Sequence, residues 1–319
     1  MSAPLAGADA LPPPVPVSSH STAGVAVMAH LRRQVGALLA ADTGLDDDAD
    51  DAVHQARVSA RRLRSGLKVY GDLLRDGAAD RLRSELSWYA SRLSPSRDLE
   101  VFAAHLESAA SGRRADVFDE SLDAEALAAT VLPWIRDRRR RSHSDALVDL
   151  RSERADLLRR DLVRWATEPM FERDAARPAG KVLAPRVLKA DRRAAHRFEA
   201  LTAASPPDAW HLARIAAKRA RYAAEVGAPP LGRPSADLAR LWTDVTEPLG
   251  DAQDAVVQRA LVLDRVADPA APLSAGEAFT CGLFVAATHD REVAARDSAR
   301  DGWHASRARH RALRKALGA

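Results

Sequence analysis

The sequence has a single cysteine, few aromatic residues and no long apolar run. Cys281 stands alone among 319 residues, which excludes an intrachain disulfide framework and predicts a buried, small apolar side chain. Aromatic residues make up 5% of the chain, so we expect a core built mainly from Ala, Leu and Val. No stretch reaches the roughly 20 apolar residues that a membrane-spanning helix needs, and the first residues do not resemble a secretory signal. These absences predict a cytoplasmic protein with no membrane partner.

An alternating β pattern is also missing, and apolar residues at helical spacing take its place. The prolines at 12–14 and 16 predict a flexible Ala/Pro-rich tail over residues 1–22. From Val25 onward the periodicity predicts an all-α fold of about ten to twelve helices. Breaks are expected inside two helical regions, at Pro95 and at residue 289.

The two sides of the chain look alike. VHQARVSARRLR at 53–64 is echoed by WHLARIAAKRAR at 210–221, and RLSPSRDLEVF at 92–102 by PLGDAQDAVVQ at 248–258. Two features in the same order and at nearly the same separation indicate an internal duplication. Since the repeat is too long for a solenoid, it predicts two pseudo-symmetric antiparallel helical bundles.

The domain boundaries follow from this duplication. After the tail we predict one domain over residues 23–319. Its first half covers about 23–167, its second half about 181–319, and a linker at 168–180 with two prolines and a glycine joins them.

The repeated helices carry a histidine and several cations on one face. Offsets 0, 3, 7 and 10 fall within about 80° of a helix face at 100° per residue. Four helices have this quartet, a fifth has its first three positions, and no acidic residue lies within 53–70. The stripes comprise His54, Arg57, Arg61, Arg64 and Lys68; Arg136, Arg139, Arg140 and His143; Arg186, Lys189, Arg193 and His196; His211, Arg214, Lys218 and Arg221; and His304, Arg307, Arg311 and Arg314.

Like charges at neighbouring helical positions repel one another and destabilise a helix, so such stripes indicate that a bound anion or solvent compensates the repulsion. Arginine forks match phosphate oxygens, and lysine adds a point charge. Several such helices facing one another would line a channel or cleft with cations. The ligand indicated is an extended polyanion. The alternative is a set of solvated faces paired with scattered Asp and Glu, which fits a stripe without acids poorly.

The paired motifs resemble the CHAD domain, the conserved histidine α-helical domain. The resemblance rests on the two histidine-arginine helices and on the SRDLEVF and LGDAQDAVV segments that follow them, and it covers everything after the tail. It implies two pseudo-symmetric helical bundles around a basic central pore, binding of inorganic polyphosphate and, in some members, a location on polyphosphate granules. By position it assigns as signature residues His54, Arg57, Arg61, Arg62 and Arg64, and His211, Arg214, Lys218, Arg219 and Arg221.

A metal-dependent polyphosphate or triphosphate hydrolase is one alternative. Such chemistry requires carboxylates that hold Mg²⁺. Asp98 and Asp254 are the only duplicated acids, and we expect them to orient arginines. The chain also has no Glu-x-Glu-x-Lys strand of a CYTH triphosphatase module, so we expect a stand-alone CHAD protein. We predict no enzyme activity and no cofactor. We also predict no metal site, because the cations that surround the histidines would repel a metal ion.

RNA binding is the other alternative, because phosphate contacts dominate both kinds of complex. Single-strand binders interleave aromatic residues for base stacking. Tyr70, Trp210, Tyr222 and Trp303 lie beside the stripes, and their helical spacing predicts core positions. The sequence therefore favours polyphosphate over nucleic acid.

Overall fold

A computed structural model describes residues 11–49, 51–75, 77–112 and 122–318, and ten α-helices dominate these ranges. The predicted all-α fold is confirmed. The first ten residues of the predicted tail lie outside the described ranges. The helices are α1 (Ala23–Thr43), α2 (Ala52–Tyr70), α3 (Ala78–Ala110), α4 (Ala124–Leu150), α5 (Glu153–Thr167), α6 (Ala179–Glu199), α7 (Pro207–Leu231), α8 (Arg233–Thr246), α9 (Pro248–Val266) and α10 (Ala275–Gly318).

Local sequence explains where several helices begin and end. Thr22 caps α1 by accepting a hydrogen bond from the backbone N–H of Val25. A capping box opens α10: the Ser274 hydroxyl accepts from the Glu277 N–H, and the Glu277 carboxylate accepts from the Ser274 N–H at 2.8 Å. Beyond the end of α7, Gly232 has φ +70°, a left-handed conformation that glycine adopts without strain.

Two of the expected helix breaks are absent. Helix α3 continues through Pro95, whose ring is exposed, while Leu93, Leu99 and Phe102 on the same helix are buried. Burial of that apolar face therefore outweighs the hydrogen bond that the proline removes. Helix α10 also continues through residue 289, where the sequence contains neither proline nor glycine.

The chain forms two compact units. The first unit contains Met1–Arg92, Leu147–Thr246 and Arg300–Ala319, and the second contains Leu93–Ala146 and Glu247–Ala299. Each unit takes segments from both sides of the predicted linker, and α3, α4 and α10 each contribute residues to both units. The predicted internal duplication and central pore stay predictions.

The core of the first unit contains a group of packed aromatic rings. Phe198 of α6 lies 5.8 Å from Trp242 of α8 and 5.8 Å from Trp303 of α10, measured between ring centroids. The two tryptophan rings are stacked at 5.1 Å. All three side chains are buried, so they join α6, α8 and α10. Helix α2 packs against α1, α6 and α7 in this unit.

The core of the second unit is aliphatic around one aromatic pair. Phe102 of α3 and Phe284 of α10 stack at 5.5 Å. Cys281 is buried in this cluster, which confirms its predicted role, and burial raises the pKa of its thiol. None of the helices in the described ranges is long and apolar enough to cross a membrane.

Candidate functional site

Helices α2 and α7 are joined through two tyrosine side chains. Arg61 of α2 donates a hydrogen bond from Nε to the Tyr222 hydroxyl at 3.0 Å, and the Tyr70 hydroxyl donates to the Ala223 carbonyl at 2.8 Å. The guanidinium of Arg62 also lies 6.0 Å from the centroid of the Tyr222 ring. Because both tyrosine side chains are buried, these contacts fix the register of the two helices.

Glu225 neutralises part of the α7 stripe. It accepts a hydrogen bond from Arg221 at 2.8 Å, and its carboxylate lies 3.8 Å from the Nε of Arg62. The sequence offset of Glu225 corresponds to that of Lys68 in the first repeat. The ion pair of Arg62 with Glu225 therefore links α2 to α7, while Arg221 holds the Glu225 carboxylate from within α7.

Cations from α2, α3, α6 and α7 come close together in the first unit. Arg219 of α7 is influenced electrostatically by Arg64, Arg83, Arg193 and Arg197. It also lines a pocket together with Lys68, Arg186, Lys189 and Arg193. We call the combined set the basic cluster; its members are Arg64, Lys68, Arg83, Arg186, Lys189, Arg193, Arg197 and Arg219.

The pocket of the basic cluster is small and has both charged and apolar lining residues. Its volume is about 120 Å³, and one carboxylate, Asp72, is among the described residues that line it. Asp72 accepts two hydrogen bonds from Arg186, at 2.7 Å and 3.2 Å. Arg186 also donates to the backbone carbonyl of Val182 at 2.8 Å, so its guanidinium is held in place.

Apart from Arg83, which forms an ion pair with Asp80, the remaining cations of the cluster are poorly compensated. Burial and then the guanidinium groups of its neighbours lower the pKa of Arg219, and burial and Arg83 lower the pKa of Arg64. Neither of these arginines, nor Arg193 or Arg197, forms an ion pair with a carboxylate in the described part of the chain. The charged forms are therefore disfavoured in the free protein, and a bound anion would relieve the repulsion.

The cluster includes some of the predicted stripe residues. Helix α2 contributes Arg64 and Lys68, and α6 contributes three residues of its quartet. From α7, Arg219 lines the pocket together with the uncharged Ala216, although Arg219 lies outside the predicted quartet. The other α2 and α7 stripe residues lie elsewhere on their helices: His54, Arg57, Arg214 and Lys218 are half-buried and His211 is exposed.

Sequence reasoning missed Arg83 and Arg197. Arg197 follows Arg193 by four residues, so continuing the i, i+4 row of α6 would have found it. Arg83 lies on α3, which has no cationic quartet, and its position depends on the fold.

The α4 stripe has a different environment, in the second unit. Arg136 forms an ion pair with Glu107 at 2.7 Å, and Arg140 with Asp137 at 3.0 Å; both arginines are exposed. Arg139 is half-buried, and His143 is buried. The paired arginines are those of a solvated face, which was the alternative to a binding surface. The binding role of this stripe therefore stays a prediction.

The α10 stripe lies in the first unit but does not line the pocket of the basic cluster. His304 is exposed, and Arg307 is half-buried. Arg311 and Arg314 line a separate pocket with Arg192 of α6.

The predicted orienting acids lie in the second unit, and both are half-buried. Burial lowers the pKa of Arg291, and the charges of Asp251 and Asp254 oppose this effect. The structure thus places Asp254 near an arginine, whereas the orienting role of both acids stays a prediction. Among the described residues, no three His, Cys, Asp or Glu side chains gather in a group that could hold a metal ion.

The aromatic residues beside the stripes are in the core. Tyr70, Trp210, Tyr222 and Trp303 are each 4% exposed or less, as their helical spacing predicts. None of them offers a ring face on the surface for stacking with a base.

Comparison with known proteins gives a consistent picture. A protein-family model described as the CHAD domain matches residues 29–263. Two uncharacterized proteins of Mycobacterium tuberculosis, MT2285 of strain CDC 1551 and Rv2226 of strain H37Rv, are 29% identical over 260 residues, which is 79% of this chain and 47% of theirs. The chain therefore spans about half the length of these relatives.

Two solved structures share the fold. PptA from Streptomyces chartreusis matches with a TM-score of 0.71 and 22% identity, over 89% of this chain and 100% of that protein. The CHAD domain from the plant Ricinus communis matches with a TM-score of 0.73 and 22% identity, over 92% of this chain and 95% of the other.

Proposed function

Because the chain belongs to the CHAD domain family, we propose that it binds inorganic polyphosphate through the basic cluster. The observation that carries the proposal is a pocket lined by five cations and, among its described residues, one carboxylate, with three further arginines whose charges act on Arg219. Polyphosphate presents closely spaced charged oxygens along a flexible chain, and arginine forks bind such oxygens with paired hydrogen bonds. Burial and then the neighbouring guanidinium groups lower the pKa of Arg219, and an anion of this kind would offset the repulsion.

The surroundings of the cluster favour polyphosphate over RNA. The described residues that line the pocket are cationic, acidic or small and apolar, with no aromatic ring among them. Base stacking on aromatic side chains supplies much of the affinity of single-strand binders. A ligand that consists only of phosphates needs no such surface, so the cluster matches it more closely.

We propose a binding protein rather than an enzyme, acting in the cytoplasm on polyphosphate granules. Release of orthophosphate from polyphosphate in the presence of protein and Mg²⁺ would contradict the first part. Absence of the tagged protein from granules in polyphosphate-accumulating cells would contradict the second.

The proposal is tested by removing charge from the cluster. The triple variant Arg64→Gln, Arg193→Gln and Arg219→Gln should bind long-chain polyphosphate at least about tenfold more weakly, because three charge-assisted contacts are lost. Affinity is measured by competition titration at several salt concentrations, and circular dichroism checks the fold.

A matched control removes the same charge elsewhere in the first unit. Arg151, Arg164 and Arg177 are exposed and paired with surface carboxylates. Their replacement by Gln should leave the affinity within about twofold of the parent, since exposed ion pairs contribute little. If both triple variants lost the same affinity for polyphosphate, the effect would come from net charge and not from the basic cluster. RNA that competes at equal phosphate concentration in near-physiological salt would overturn the choice of ligand.

A further inference from the structure

A second cationic pocket lies between α6 and α10. Its volume is about 420 Å³, and it shares no lining residue with the pocket of the basic cluster. On α6, Leu188 and Arg192 are centred about 130° around the helix axis from the residues that line the first pocket, at 100° per residue. The α6–α10 pocket is lined by Leu188, Arg192, Arg311, Arg314 and Lys315.

A buried carboxylate holds one arginine at this pocket. Asp191 is fully buried, and its Oδ1 atom accepts from the indole N–H of Trp242 at 2.9 Å and lies 2.8 Å from Nε2 of His310. Its Oδ2 atom lies 3.4 Å from Nε of Arg314. Asp191 is fixed by α8 and α10 together, and its charge draws Arg314 towards this side of the pocket before any ligand binds, although no hydrogen bond joins the two side chains. Such preorganisation lowers the entropy cost of binding.

The other cations of the pocket are available to a ligand. Arg192, Arg311 and Lys315 are exposed, and none forms an ion pair with a carboxylate in the part of the chain that the structure describes. The pocket thus gathers four cations, while Asp191, the carboxylate that contacts Arg314, is buried beneath them. Three of the four cations lie on α10, beyond the residues that the family model matches.

We propose that the α6–α10 pocket is a second site for phosphoryl groups, so that one protein molecule links two segments of polyphosphate. The inference rests on the proposed function, and it adds a second site on a different face of α6. Two sites on different faces can bind two chains, or two distant parts of one chain, and the gain in affinity for long chains comes from this multivalency.

Calorimetric titration with tripolyphosphate counts the sites. The parent protein should bind two molecules per chain. The variant Arg192→Gln, Arg311→Gln and Lys315→Gln should bind one, with the remaining affinity unchanged, and the Arg64, Arg193 and Arg219 triple variant should also bind one. Arg314 is kept because its contact with Asp191 belongs to the core. A parent stoichiometry of one, together with an unaltered α6–α10 variant, would overturn the inference.

Light scattering with long-chain polyphosphate tests the linking. The parent should form large assemblies at intermediate ratios of protein to polymer, whereas both triple variants should bind without assembling. Cations near the C-terminus of α10 also stabilise that helix end. If the Arg192, Arg311 and Lys315 triple variant melts at a lower temperature yet still binds two molecules of tripolyphosphate, these cations only stabilise the end of α10. If the parent binds no polyphosphate at all, the proposed function fails; if it binds with one site, only the second site fails.

Discussion

The Nε atom of Arg61 on α2 donates a hydrogen bond to the phenolic oxygen of Tyr222 on α7 over 3.0 Å. The two residues are 161 positions apart in the sequence, and the tyrosine is buried. A residue of the predicted binding stripe therefore also holds two helices together. Its replacement would change both the charge of the surface and the stability of the unit.

A double-mutant cycle separates these effects. We expect Arg61→Gln and Tyr222→Phe to be coupled by about 1 kcal/mol in the free energy of unfolding, because each variant removes one partner of the same hydrogen bond. Urea denaturation of the two single variants and the double variant gives this number. Tyr89→Phe, which removes a hydroxyl that donates to Asp42, is the control and should be additive with Arg61→Gln. Additivity of Arg61→Gln with Tyr222→Phe would contradict the assignment.

Two arginines of α7 should respond in opposite ways. Arg219 is surrounded by cations and Arg221 is bonded to Glu225. We expect Arg219→Gln to weaken polyphosphate binding and to reduce the slope of log affinity against log salt by about one, as for the loss of one phosphate contact. Its free energy of unfolding should not fall, because a repelled charge is removed. Competition titrations and urea denaturation measure the two quantities.

Arg221→Gln is the matched control on the same helix. It removes the same charge but breaks a pair with a carboxylate, so stability should drop by up to about 1 kcal/mol while polyphosphate affinity changes little. If Arg221→Gln weakens binding as much as Arg219→Gln, the pocket face of α7 has been assigned wrongly.

His30 on α1 gives a prediction about pH. The side chain is 5% exposed, and its Nε2 atom has no hydrogen-bond partner among the described residues. Burial, and then the charges of Arg33 and Arg62, lower its pKa from 6.5 to about 3. Because the unfolded chain takes up this proton near pH 6.5 and the folded protein does not, stability is lost as the pH falls from about 6.5 toward 3.

The expected size of this loss is measurable. Between pH 7 and pH 5 the group should reduce the free energy of unfolding by about 2 kcal/mol, at about 1.4 kcal/mol per pKa unit. His30→Leu should remove that part of the pH dependence, as measured by urea denaturation at both pH values. If the free energy of unfolding depended on pH in the same way in the parent and in the variant, His30 would have the same pKa in the folded and the unfolded protein.

The helical fold could be predicted because periodicity and capping residues are local properties of the sequence. The core positions of Cys281 and of Tyr222 followed from the same reasoning. Pro95 was misleading, since its local effect favours a break while the buried Leu93 and Phe102 on the same helix keep α3 continuous. That outcome depends on partners far away in the sequence.

The site could be predicted only in part, for a reason visible in α7. Its buried alanines span about 120° of the helix at 100° per residue, from Ala217 to Ala223, so the sequence did not define which flank of the helix faces α6. The regular quartet favoured one flank, whereas packing brings Arg219 on the other flank into the pocket. Arg83 depends on the fold even more, because nothing in its own helix marks it.

Asp72 has a consequence for selectivity. It acts as a resident counterion, because its two hydrogen bonds to Arg186 cancel part of the positive field before any ligand arrives. A ligand that uses Arg186 has to displace a two-point contact with a carboxylate. A monovalent anion such as chloride gains too little from one cation to do so, whereas an anion with several adjacent charges contacts Lys189, Arg193 and Arg219 at the same time. If the pocket binds anions as proposed, this carboxylate would raise the charge density that an anion needs in order to use Arg186.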